Sequence, residues 1–448
     1  MSRLFGTDGA RGIANTELTC ELAMQIGRAA AVILTERTQR RSRILIGKDT
    51  RASSDMLEAA LIAGIASVGA DSHLAGVIPT PAVSYLIGKY GFDAGIMISA
   101  SHNPCEWNGI KLFDRDGFKL PDTLEDEIEA LVKNGIEGVP QPIGADLGRV
   151  IHEDTATVDY TEHIRLCIDE PLDDLRIALD CANGSAAKTA HSLFSSMGAE
   201  CFMLSARPDG ANINDRCGST HMENLVEFVK EHKLYGGLAF DGDADRCLAV
   251  DENGDILDGD KIIAVCAMDL KRRGKLNGSA AVVTVMSNLG FFKFASENGI
   301  STAATKVGDR YVLEEMLQKG YTVGGEQSGH VIFLDYAKTG DGQLTGAMLL
   351  AAAKRAGRPL SELGRVMETY PQTLVNIKVS DEIRVGWESD EAIAAAIASA
   401  KSQLGEEGRV LVRASGTEPL IRIMIEGKEL PQIETLAQQI AKEFRRKC

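Results

Sequence analysis

The sequence predicts an α/β protein: three α/β domains with parallel or mixed sheets, followed by a C-terminal antiparallel α+β domain. Three observations carry this. The chain has 448 residues, well past the roughly 250–300 at which a single hydrophobic core stops growing. Short apolar runs ending at Gly, Asp or Ser alternate with segments of helical periodicity, the pattern of units that build parallel sheets. After residue 370 the order changes to three strands and two helices that read as a separate antiparallel module.

The first unit, 1–150, contains the buried run RILIG at 43–47, a strand, followed by a helix over 53–68. Ser53 or Ser54 would cap that helix, with Asp55 and Glu58 near its positive end. AGIMIS at 94–99 is a second strand that runs into the turn around Ser101, and 125–133 is a helix. The second unit, 151–254, repeats the pattern with a strand at 176–180, a helix over 185–197 and a strand at 236–240. Past the Asn253-Gly254 turn, the third unit, 255–370, has a helix over 261–271, strands at 281–285 and 321–324, and a helix over 343–356. A break at Tyr370-Pro371 introduces the last unit, 371–448, with strands at 373–379, 409–413 and 420–426 and helices over 390–404 and 430–447.

Composition narrows the function. Hydrophobic residues make up 44% and charged residues 25%, as in an ordinary soluble protein. The formal net charge of −16 excludes nucleic acid and anionic membrane as natural partners, since both need a basic surface. A phosphorylated substrate would therefore require a local cationic pocket within a repulsive field. Nine cysteines without a CxxC pair read as free thiols of a reducing cytoplasm. No apolar segment resembles a secretion signal, and no run approaches the roughly 20 residues of a membrane span. The expectation is a cytoplasmic enzyme.

Ligands of open α/β sheets collect beyond the carboxyl ends of strands, and three unusual loops fall at such ends. SASHNP at 99–104 places Ser101 just past a buried strand, with Pro104 restricting Asn103. Taken alone it is a Ser/Asn-Pro turn. DGDADR at 241–246 sets Asp241, Asp243 and Asp245 at alternate positions, where their mutual repulsion calls for a hard cation. An EF-hand is excluded although Glu252 stands at the twelfth position, because Arg246 occupies the place of its invariant glycine. Catalytic Mg²⁺ fits better. GGEQSGH at 324–330 mixes a carboxylate, an amide, a hydroxyl and an imidazole suited to sugar hydroxyls or amines. A fourth loop, RASGTEP at 413–419, with Arg422 on the next strand, reads as a phosphate cradle and supplies the cationic pocket. Lys111 in NGIKL, read alone, is a strand residue.

Together SASHNP, DGDADR, GEQSGH and RASGTEP, in this order behind FGTDGARG at 5–12, resemble the α-D-phosphohexomutase family over nearly the whole chain. The resemblance implies four domains around a central cleft, each contributing one loop. It implies a phosphate on Ser101 and one Mg²⁺ per chain held by Asp241, Asp243, Asp245 and that phosphoserine. Glu326 and Ser328 would read the sugar; Arg413, Ser415, Gly416, Thr417 and Arg422 would grip the phosphate not being transferred. Arg11, Lys111 and His330 would stabilise charge or move protons, with Arg246 and Arg310 as supporting cations. The opening SRLFGTDGARG and Gln327 resemble the members acting on glucosamine phosphate, whereas members acting on mannose and glucose phosphates carry Met at that place.

The implied reaction carries glucosamine 6-phosphate to glucosamine 1-phosphate through a 1,6-bisphosphate, which also serves as activator, and feeds amino-sugar precursors of the cell wall. The alternative is phosphomannomutase/phosphoglucomutase activity by the same route. Lys111 would act as general base only with a lowered pKa, and His330 needs no large shift; the residues leave both standing. Two rivals are disfavoured: Asp241 as an aspartyl-phosphate nucleophile, against which the third Asp and the following strand argue, and a sugar-phosphate sensor that kept the fold, against which the intact serine, metal and phosphate loops argue. Oligomeric state is open, with a homodimer as the arrangement to test.

Overall fold

The computed structural model describes residues 3–6, 8–35, 40–135, 139–415 and 419–447. They divide into two compact units, one of residues 1–286 and 300–366, the other of 287–299 and 367–448.

The first unit holds three sheets. In the first, β1 (Phe5–Gly6), β2 (Gly9–Ile13), β3 (Arg43–Lys48), β4 (Asp71–Val77), β5 (Ala94–Ile98), β6 (Trp107–Phe113) and β7 (Val150–His152) lie in the order β1-β2-β6-β5-β3-β4-β7. Strands β3, β4, β5 and β7 pair in parallel, while β1, β2 and β6 are antiparallel additions. Every residue of β5 is buried, which explains its unbroken apolar run. The second sheet has the order β12-β11-β10-β8-β9, from β8 (Arg176–Asp180), β9 (Glu200–Leu204), β10 (Gly236–Phe240), β11 (Cys247–Asp251) and β12 (Ile256–Leu257). The third has the order β14-β13-β15-β16, from β13 (Ala280–Thr284), β14 (Ser301–Thr305), β15 (Val323–Gly325) and β16 (Val331–Phe333). Both combine parallel pairs with antiparallel pairing toward one edge, at β10-β11-β12 and at β15-β16.

The second unit contains an antiparallel sheet in the order β17-β19-β18, from β17 (Gln372–Lys378), β18 (Gly408–Ala414) and β19 (Leu420–Gly427). The helices Glu391–Leu404 and Leu430–Arg445 pack their apolar stripes on it, burying Ile393, Ile433, Ile440 and Phe444. The expected class, mixed α/β followed by antiparallel α+β, is therefore observed.

Two local expectations fail because polar groups at the expected helix starts take other partners. The helix expected over 53–68 runs Ala52–Ala66, with Arg51 at its N-cap and no side-chain cap. Ser54 instead donates to Asp49 at 2.9 Å, and Asn108 Nδ2 donates to both Ser53 and Ser54. The single helix expected over 185–197 is a 3₁₀ turn, Ser185–Lys188, and a separate helix, Ala190–Ser196. Ser185 N–H is drawn to Gly242 O at 2.9 Å, and the Thr189 hydroxyl accepts from Gln343 at 2.6 Å.

Candidate active site

Strand β5 delivers Ser101 into a turn where it is fully buried and adopts φ +53°. A non-glycine residue in the left-handed region costs on the order of 1 kcal/mol and marks an over-determined site. Its Oγ donates to Asp241 Oδ2 at 2.6 Å, and its N–H donates to Ser99 Oγ at 3.0 Å. His102 Nδ1 lies 3.4 Å from the same Oγ; burial, with Arg246 and Arg11, pushes the His102 imidazole down to about 4, so the ring is neutral.

The loop after β10 turns its three aspartates together. Asp241, Asp243 and Asp245 are all buried, with one carboxylate oxygen of each within 4.8 Å of the others. Asp243 Oδ2 accepts from Thr80 Oγ1 at 2.5 Å and from Lys111 Nζ at 2.7 Å. Asp243 Oδ1 and Asp245 Oδ1 are buried without a hydrogen-bond partner. Burial, then repulsion from Asp245 and Asp243, holds the Asp241 carboxyl well above the usual range. Three carboxylates with two orphaned oxygens are a donor set for a hard divalent cation, so the residues present fit Mg²⁺. Gly242 permits this docking, since a Cβ there would stand 2.6 Å from Ser101 O and 2.8 Å from Ile213. Gly242→Ala is therefore expected to destabilise the protein by about 1–3 kcal/mol, read as a lowered Tm together with a fall in kcat.

Lys111 is 1% exposed on β6. Burial alone would lower its pKa, but Asp243, Asp8 and Asp245 outweigh it and hold the ammonium above the ordinary lysine range. The condition for Lys111 as a base is thus not met here. His330 is also buried; Asp245 and Asp309 overcome desolvation and raise its pKa. Gly340 N–H donates to His330 Nε2 at 3.0 Å, leaving Nδ1 toward Asp245 at 3.6 Å. Arg11 pairs with Asp8, and half-buried Arg246 faces Asp245 at 3.8 Å.

Four residues that the motifs did not single out belong to this network. Asp8 sits 3.3 Å from Lys111, Lys119 bridges Asp8 and Asp309 at 2.6 Å each, and Thr80 caps Asp243. Asp8 was visible within FGTDGARG, but nothing local marks Lys119, Asp309 or Thr80. Arg310 borders the same small cavity as Asp8, Lys111 and Lys119, where it donates to Asp122 at 2.6 Å and to Glu314 at 3.0 Å.

In the sugar-type loop, Glu326 is half-buried, with Oε1 accepting from Gly308 N–H at 3.1 Å, and Ser328 is exposed. One N–H of the Gln327 amide is engaged within the protein. Gln327 Nε2 donates to Asp258 Oδ2 at 3.2 Å, while Asp258 Oδ1 caps the helix Gly259–Arg272 through Lys261 N–H. In the second unit, Arg413 and Arg422 stand directly opposite each other on β18 and β19. Burial and the Arg422 charge depress Arg413. Like charges facing across strands are unfavourable, and an anion would relieve them. Arg384 reaches Ser415 O at 3.4 Å. Gly416 and Thr417 lie outside the described residues.

Four phosphoglucomutase/phosphomannomutase descriptions match the chain in order: alpha/beta/alpha domain I at 2–138, domain II at 158–254, domain III at 258–370 and the C-terminal domain at 374–443. A relative from Clostridium perfringens named phosphoglucosamine mutase is 55% identical over 448 residues, covering 100% of both chains. The chain belongs to the phosphohexomutase family. A second member, from Thermoanaerobacter pseudethanolicus and carrying the same name, is 52% identical over 447 residues, again covering 100% of both chains. Among solved structures, a phosphoglucomutase/phosphomannomutase family protein from Burkholderia thailandensis shares the phosphohexomutase fold with a TM-score of 0.82 at 24% identity, covering 100% of this chain and 98% of its own. An Aspergillus fumigatus N-acetylphosphoglucosamine mutase in complex with GlcNAc-6P and magnesium has a TM-score of 0.68 at 16% identity, with 99% and 96% covered.

Proposed function

We propose that the chain interconverts glucosamine 6-phosphate and glucosamine 1-phosphate, the activity for which its bacterial relatives are named, by passing phosphate on and off Ser101. The observation that carries the reading is the buried Ser101 Oγ, 2.6 Å from Asp241 within the carboxylate cluster. The segments 1–150, 151–254, 255–370 and 371–448 would contribute one loop each. Asp241, Asp243, Asp245 and a phosphate on Ser101 would hold one Mg²⁺ per chain, whose charge offsets that of the transferring phosphoryl group. The magnesium-bound Aspergillus neighbour supports that assignment.

Phosphoserine 101 donates to the O1 hydroxyl, giving a 1,6-bisphosphate; after the sugar reverses, Ser101 takes the 6-phosphate. Lys111 and Arg11 act as fixed cations beside the transferring group. His330, set between Asp245 and Asp309, would accept the hydroxyl proton in its neutral form, once Nε2 releases the Gly340 N–H. Glu326 and Ser328 read the sugar, and Arg413, Ser415, Gly416, Thr417 and Arg422 hold the distal phosphate. The facing pair Arg413 and Arg422 supports that role. No helix of the described residues is long and apolar enough to cross a membrane, and a cytoplasmic location belongs to the same proposal.

The test is a substrate panel with a 1,6-bisphosphate activator. Glucosamine 6-phosphate is expected to outpace mannose and glucose 6-phosphates; equal rates would overturn the amino-sugar assignment and leave Ser101 chemistry standing. Because the Gln327 amide is engaged by Asp258, Gln327→Met is expected to lower kcat/KM about tenfold for all three sugars alike. A changed preference ratio would instead make Gln327 a direct reader of the substrate.

A further inference from the structure

The Ser101 loop is gripped by its carbonyl oxygens from two sheets at once. The Arg51 guanidinium is fully buried. Its Nε donates to Asp49 at 2.9 Å, Nη1 to Pro104 O at 2.6 Å, and Nη2 to Ser101 O and Asn103 O at 3.0 and 2.9 Å. Asp49 is held in turn by the Ser54 and Ser99 hydroxyls, at 2.9 and 2.7 Å. A buried arginine beside a phosphate-bearing loop invites assignment as a phosphate ligand, yet these donors are already committed to the protein. From the loop beyond β9, Asn214 Nδ2 donates to the same two carbonyls, Ser101 O and Asn103 O, at 2.9 Å each. Asn214 itself has φ +58°, and its N–H donates to Ala182 O at 2.9 Å.

Two independent donors on one carbonyl pair over-determine a turn whose central serine is in a costly conformation. The Ser101 hydroxyl meets Asp241 while its own carbonyl is held by the Arg51 and Asn214 donors beside the Gly242 backbone. We propose that Arg51 and Asn214 are positioning residues that keep phosphoserine 101 in register with the aspartate loop. Asn214 makes that register depend on the second sheet. Without it the phosphate is lost to water: a water oxygen attacks phosphorus, the P–Oγ bond breaks, Oγ takes a proton and inorganic phosphate leaves. The inference rests on Ser101 being the phosphate carrier.

Asn214→Asp keeps the shape and the tolerance for a left-handed backbone while replacing both donated hydrogen bonds by repulsion. The full-length, Mg²⁺-loaded protein is phosphorylated with glucose 1,6-bisphosphate and desalted, and the serine phosphate is followed by intact mass. Asn214→Asp is expected to lower kcat on the order of 10²-fold with KM nearly unchanged, to shorten the phosphate lifetime and to raise the activator requirement. Arg51→Lys, which cannot reproduce the fork, should act in the same direction. Asn224→Asp, whose side chain donates to Arg216 O at 3.1 Å, should match the parent. A parental kcat and phosphate lifetime in Asn214→Asp would overturn the proposal; should that variant not fold, Asn214→Ser is judged by the same criterion. A parent protein that carries no phosphate on Ser101 would instead sink the underlying reading.

Discussion

Replacing Ser101 with alanine is expected to cut turnover by about four orders of magnitude or more, while the protein stays folded. The side chain is small and already buried, so the change removes one hydrogen bond to Asp241 and leaves the Arg51 and Asn214 contacts to the backbone in place. The variant should take up no phosphate from a 1,6-bisphosphate, as read by intact mass. The same measurement separates serine from aspartate as carrier. A phosphoenzyme discharged by neutral hydroxylamine would be an acyl phosphate and would move the nucleophile to Asp241. A phosphoserine-free protein that still isomerises sugar phosphates at the parental rate would end the proposal altogether.

Stripping divalent cations is expected to abolish turnover, and the response of stability to Mg²⁺ should grow with pH. The sign follows from Asp241. Its carboxyl is held well above the usual range by burial and by Asp245 and Asp243, so the cation-free protein keeps a proton there that the unfolded chain has lost. That contribution is fully present below the ordinary aspartate pKa of about 3.9 and disappears as pH rises through the folded value. Cation binding displaces the proton, so affinity climbs over the same interval. At a hundredfold excess over Kd the stabilisation is about 2.7 kcal/mol. Thermal melts with and without EDTA across a pH series test this; a Mg²⁺-induced Tm shift that shrinks as pH rises would contradict it. Readdition of Mg²⁺ should restore activity, whereas a chelator-insensitive enzyme would remove the metal from the scheme.

How far the chain could be read in advance depended on where each signal lies along it. DGDADR is self-contained: three carboxylates within five positions must repel, and so they declare a cation whatever surrounds them. The central strands were equally plain, because strands buried on both faces, such as β5, become unbroken apolar runs. The start of the helix Ala52–Ala66 was not, because Ser54 serves Asp49, in the turn just past β3. The same limit governs the site. Lys111 has no local mark, and its charge state is decided by Asp8, Asp243 and Asp245, the nearest of them 103 positions away in sequence. Lys119, Asp309 and Asn214 gain meaning only from partners brought to them by the fold. Gln327 shows the opposite hazard: a residue prominent in its motif is occupied by a helix cap at Asp258.

By itself, then, the sequence determined the domain classes and marked the three aspartates and the arginine-bearing loop by patterning or spacing within a few residues, whereas Ser101 stood out only through the resemblance that the four motifs carry together. Only the tertiary structure decided that Ser101 and Asp241 meet, that Lys111 is a fixed cation, and that Arg51 and Asn214 grip the serine loop. The reason is physical. Distances, desolvation and the balance of neighbouring charges set those properties, and all three arise between segments that the chain order keeps apart.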